Sequence, residues 1–137
     1  MTQEDKELLL KDLCARLPYG VKLECKWKTP APNGTYDMII TMDSFVLDQI
    51  CNIDDTDVPF DKVKPYLFPL SSMTEEQKKE YCSLVWFDGL SAGWNRDDAI
   101  ILNEVEMLID FYHKNHLDWR GLIPMGLAND ATGLNIY

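Results

Sequence analysis

The sequence predicts an α+β domain: a small antiparallel β-sheet with about three helices packed on one face. Three observations predict it. A leucine stripe at helical spacing opens the chain, and two stretches of alternating polarity follow it. The second half then carries capping signals ahead of apolar runs.

Leu9, Leu13 and Leu17 recur at steps of four, with Leu10 and Cys14 beside them, so Thr2 to Leu17 reads as a helix. Thr2 is the expected cap, and Glu4 and Asp5 suit the positive end of the helix dipole. Pro18 stops the helix and Gly20 turns the chain. From Val21 to Lys28 apolar and polar residues alternate, which predicts a half-buried strand with Lys22, Lys26 and Lys28 on its wet face. The Thr29–Gly34 stretch holds two prolines and an Asn-Gly pair, a turn signal. Tyr36 to Met42 reads as a second strand and Phe45 to Ile50 as a third.

Asn52 to Asp61 is an acidic loop. Val63 to Leu70 contains Pro65 and Pro69, so it is extended but unsuited to a central strand. Ser72…Glu75 and Thr74…Gln77 both fit a capping box, which predicts a helix running to Val85 or Trp86 with Tyr81, Leu84 and Val85 inward. Asp88 to Trp94 reads as a loop and Ala99 to Leu102 as a short strand. Asn103 then caps a last helix carrying Val105, Leu108, Ile109, Tyr112 and His116 on one stripe. Residues 1–128 form one domain, and 129–137 form a short polar tail that is loose unless Leu134, Ile136 and Tyr137 dock.

A chain of 137 residues with 46% apolar content buries about two thirds of its unfolded surface and needs no covalent staple. Cys14, Cys25, Cys51 and Cys82 are irregularly spaced beside apolar neighbours, and they read as reduced small hydrophobes. Together with the acidic Met1–Asp5 start, this predicts a cytoplasmic protein. No apolar run approaches the ~20 residues of a membrane span, so no membrane association is expected.

Net charge is −10, and its placement is uneven. Tyr36 to Asp61 holds seven acids, Asp37, Asp43, Asp48, Asp54, Asp55, Asp57 and Asp61, and no Lys or Arg. Direct nucleic-acid binding is disfavoured, because the cations that neutralise phosphates are missing. The plain reading of the acid excess is solubility. The sharper reading is an interaction surface for a protein partner, with Asp43, Asp48, Asp54, Asp55 and Asp57 at its centre and Trp94 as an aromatic contact.

Chemistry-bearing clusters are sparse. His113 and His116 lie three apart with Asp118 after them, the only arrangement that suggests a metal-dependent enzyme. It lacks further ligands, so neither a metal nor another cofactor is expected. No nucleophile elbow or phosphate loop is present. Asp118 and Arg120 form a charged island in an apolar run, either a structural lock where the last helix ends or an anion fork. As an anion or nucleotide site, Arg120 would work with Lys26, Lys28 and Trp27. These readings predict a non-enzymatic interaction protein, with a small-ligand binder as the alternative.

Three stretches carry a resemblance: Leu13–Val21, Lys64-Pro65-Tyr66-Leu67-Phe68-Pro69-Leu70-Ser71-Ser72-Met73-Thr74-Glu75-Glu76, and Asp118-Trp119-Arg120-Gly121-Leu122-Ile123-Pro124-Met125-Gly126-Leu127-Ala128. Together they resemble a family of small uncharacterised proteins from gut Bacteroidales genomes and their phages and mobile elements. The resemblance implies a shared fold and a phage or mobile-element context. It implies no reaction. The stretch between Trp27 and Lys62 varies most in that family, as a surface adapted to different partners would.

Overall fold

The computed structural model describes residues 2–28, 35–51, 63–91 and 98–137. The fold is α+β, with four α-helices and a four-stranded sheet among the described residues. Helix α1 (Gln3–Arg16) opens it. Thr2 Oγ1 accepts the Asp5 N–H at 3.1 Å and Asp5 Oδ2 accepts the Thr2 N–H at 2.9 Å, a closed capping box. The second bond holds the Asp5 carboxyl below its usual range. Leu17–Tyr19 tightens into a 3₁₀ turn, and Gly20 at φ 65° reverses the chain.

Strands β1 (Lys22–Lys28) and β2 (Thr35–Thr41) pair antiparallel over seven residues, from Lys22↔Thr41 to Lys28↔Thr35. The Asn33-Gly34 turn lies outside the described residues. β3 (Val63–Leu67) pairs with β1 on its other side, antiparallel through Leu23↔Pro65 and Cys25↔Val63. β4 (Asn129–Asp130) adds to β3 in parallel, giving the order β2-β1-β3-β4. The expected sheet is therefore antiparallel over three strands and gains a short parallel edge.

Pro65 explains how an internal strand tolerates proline. The Met42 N–H bonds the Val21 carbonyl, and ladder bonds recur at every second pair, so Leu23 bonds β2 while Lys22 and Glu24 face β3. Pro65, opposite Leu23, thus turns its missing N–H away from β1. β4 pairs only with Tyr66 and Leu67, so β3 is still an edge where the donor is absent.

Several local expectations are corrected. Ser44–Cys51 is helix α2, not a strand. Asp43 Oδ1 caps it by accepting the Val46 N–H at 2.8 Å, and Ile50 is buried. α3 (Glu75–Ser91) uses the Thr74…Gln77 box and runs through the predicted loop at 88–91. α4 (Asp98–Lys114) absorbs the predicted strand at 99–102, so Asn103 lies within a helix instead of capping one. The tail docks rather than hanging loose: Asn129–Asp130 form β4, Ala131 is buried with its N–H on the Leu67 carbonyl, and the Tyr137 hydroxyl bonds β1 and β3, while Leu134 stays exposed.

The core gathers Leu9 and Leu13 of α1, Leu23 and Cys25 of β1, Val63 and Leu67 of β3, and Leu122, Leu127 and Ala128 of the terminal segment. Cys14, Cys25 and Cys82 are free thiols, and Cys25 is buried. Burial pushes its thiol up to about 11, while Cys14 and Cys82 are exposed. No helix among the described residues is long and apolar enough to cross a membrane.

Candidate interaction surface

The acidic stretch folds, where it is described, as the outer strand of the sheet followed by α2. Consecutive strand residues point to opposite faces. On β2 both faces carry exposed apolar side chains, Met38 at 39% and Ile39 at 47%. α2 turns Val46, Leu47 and Ile50 toward the core and leaves Phe45 67% exposed, the most exposed large apolar side chain among the described residues. Phe45 stands two residues from Asp43 and three from Asp48, both exposed. A single exposed aromatic is ordinary on a protein surface, and it is also the kind of side chain that anchors an interface when a partner supplies a pocket.

Asp54, Asp55, Asp57 and Trp94 lie outside the described residues. Lys26, Trp27 and Lys28 stand on β1 in register with Asp37, Tyr36 and Thr35. Asp43, Phe45 and Asp48 are close in the chain, at the start of α2 and within it, and all three are exposed.

No family model, curated protein or solved structure matches the chain.

The terminal island is occupied with its own architecture. Asp118 is buried and accepts the N–H groups of Leu122 at 2.7 Å and Ile123 at 2.9 Å, folding the segment that delivers Leu122 to the core. Gly121 and Gly126, both at φ 75°, supply left-handed turns in that segment. Arg120 does not pair with Asp118. Its Nε donates to Asp12 Oδ1 at 3.1 Å, and its guanidinium lies over the Trp119 ring at 4.1 Å. An anion at Arg120 would have to compete with that carboxylate.

Asp12 and Arg16 were not singled out by sequence reasoning, yet they are the most deeply buried charges described, both at 0% exposure. Arg16 Nε donates to Asp12 Oδ2 at 2.7 Å and Arg16 Nη2 to the Leu117 carbonyl at 2.8 Å. One carboxylate thus ties two guanidiniums and, through them, α1 to the end of α4. The signal was present: Leu9, Asp12, Leu13 and Arg16 sit at i, i+3, i+4 and i+7 on one helical face.

The histidines are also placed differently from a metal pair. His113 is buried, and its Nε2 accepts the Trp119 indole N–H at 3.1 Å. Burial, then the nearby Arg16, lowers its pKa and favours this neutral form. His116 lies beyond α4 at φ 55°, not on the helical stripe. There its N–H bonds the His113 carbonyl and the Leu117 N–H bonds the Tyr112 carbonyl, the two closing bonds of a Schellman helix end. Its ring stacks on Tyr137 at 3.8 Å. Among the described residues, no group of three His, Cys, Asp or Glu side chains is arranged to hold a metal ion.

Proposed function

We propose that the protein is a non-enzymatic acidic interaction protein that binds another protein through residues 36–61. The observation that carries this reading is Phe45, 67% exposed in a stretch of seven acids without one base. Apolar anchors set among like charges favour a partner that brings both an apolar pocket and positive charge. The engagement of Arg120 with Asp12, and of His113 with Trp119, supports architecture over ligand chemistry in the terminal segment.

A phage- or mobile-element-encoded modulator of a host protein fits the resemblance of the three motifs. The spacing of the cysteines supports action in the cytoplasm. The test is co-purification from a Bacteroidales host, with the wild-type chain beside a variant in which Asp54, Asp55 and Asp57 become Asn. Loss of a specific partner in the variant supports the reading. Equal recovery from both counts against it.

A further inference from the structure

We infer that one water molecule is bound inside the protein between Arg16 and His116, accepting a hydrogen bond from Arg16 Nη1 and donating one to His116 Nδ1. The site lies at the structural end of the molecule and is independent of the acidic surface.

Arg16 is fully buried, and two of its nitrogens are held: Nε donates to Asp12 Oδ2 and Nη2 to the Leu117 carbonyl. These two bonds fix the plane of the guanidinium, and with it the direction of Nη1. Nη1 is buried, yet it has no hydrogen-bond partner among the described residues, and the same holds for His116 Nδ1. No other buried side-chain nitrogen or oxygen among the described residues is left so. Buried polar groups are satisfied as a rule, by protein or by an ordered water.

The two atoms belong to one neighbourhood. Leu117, whose carbonyl holds Nη2, directly follows His116. The Arg16 charge also acts on His116 and on Tyr137, whose ring stacks on His116.

Their chemistry selects the occupant. A guanidinium nitrogen only donates, whereas a neutral imidazole carries one accepting nitrogen. Burial and the charges of Arg16 and Lys22 hold His116 neutral. Facing a cation, the ring is best placed with its lone pair, not an N–H, turned toward it. The bridging group must therefore accept from one side and donate to the other, as water does. The guanidinium repels a metal cation. A halide accepts from Nη1 but has no proton for Nδ1, and burial strips its hydration. Immobilising a water costs little by comparison. Bound there, it ties α1 to the segment after α4 and sets His116 as the Nε2–H tautomer.

High-resolution diffraction from crystals grown in sodium bromide should show a solvent oxygen within hydrogen-bond distance of both atoms and no anomalous signal there. In solution at neutral pH, the ¹⁵N shifts of His116 should report a bare Nδ1 and a protonated Nε2. Oxygen-17 relaxation should count one long-lived water fewer in His116→Phe, which loses the acceptor, and in Asp12→Leu/Arg16→Met, which loses the donor. If the double variant does not fold, His116→Phe decides the count. A bromide peak at the position, a proton on Nδ1, an unchanged water count in His116→Phe, or a direct bond from Nη1 to Nδ1 each overturns the inference.

Discussion

The Tyr137 hydroxyl donates to the Tyr66 carbonyl at 2.6 Å while accepting the Lys22 N–H at 2.8 Å. By register, Lys22↔Tyr66 is the rung that follows Leu23↔Pro65, so a side-chain oxygen completes the ladder between β1 and β3. The ring of the same residue lies against His116 and Phe68. Tyr137→Phe keeps the ring and strands both backbone groups. It should lower stability by about 1 kcal/mol, the low end for a lost bond because the residue is 42% exposed. Urea midpoints of the two proteins check this, and amide exchange should rise at Lys22.

The Asp12–Arg16 pair has a sharper cost. With both groups fully buried, Asp12→Asn leaves Arg16 without its carboxylate and should destabilise by about 3–5 kcal/mol. Replacing both, as Asp12→Leu/Arg16→Met, removes the two fully buried charges together and leaves only the partly exposed Arg120 without its carboxylate, so it should cost less than Asp12→Asn alone. Equilibrium unfolding of the single and double variants separates these outcomes.

His116 makes stability depend on pH. Burial first, then the charges of Arg16 and Lys22, push its pKa down to about 4 from an ordinary 6.5. The unfolded chain therefore binds more protons between these values, and the stabilisation is present above pH 6.5 and lost as pH falls toward 4. The full loss is on the order of 3 kcal/mol at 1.36 kcal/mol per pKa unit. His113 shifts in the same direction. His116→Phe keeps a stacking ring and does not titrate, so its unfolding free energy should fall less than the wild type's between pH 7 and pH 5.

Asp118 tests the architecture of the terminal segment. Asp118→Ala frees two N–H groups, one of them on the fully buried Leu122, and should cost about 2–3 kcal/mol. Asp118→Asn keeps one acceptor oxygen and should cost less. Thermal or urea unfolding of both variants gives the order.

What the sequence disclosed was local. The Thr2 cap, the Thr74 box and the alternation of Val21 to Lys28 are each written within a few residues, and each is found in the fold, where Asp5 closes the Thr2 cap into a box. Phe45 to Ile50 was ambiguous, because six apolar-rich residues suit a strand or a helix; Asp43, which caps Val46, decided it. Ala99 to Leu102 failed for the same reason, as a short apolar run taken from within a longer helix. The remaining contacts join distant positions. Asp12 meets Arg120 across 108 residues and Tyr137 meets Lys22 across 115, and no periodicity encodes such pairs. Within the candidate surface, the acids were visible as a run, but the exposure of Phe45 depends on α2 turning Val46, Leu47 and Ile50 toward the core instead.

The central claim divides the molecule into a binding middle and a structural end. Parallel pull-downs with Phe45→Ser and Arg120→Lys test it most directly, each against wild type and each checked for folding. The account predicts that Phe45→Ser loses the partner and Arg120→Lys retains it. Retention by Phe45→Ser together with loss by Arg120→Lys would contradict it.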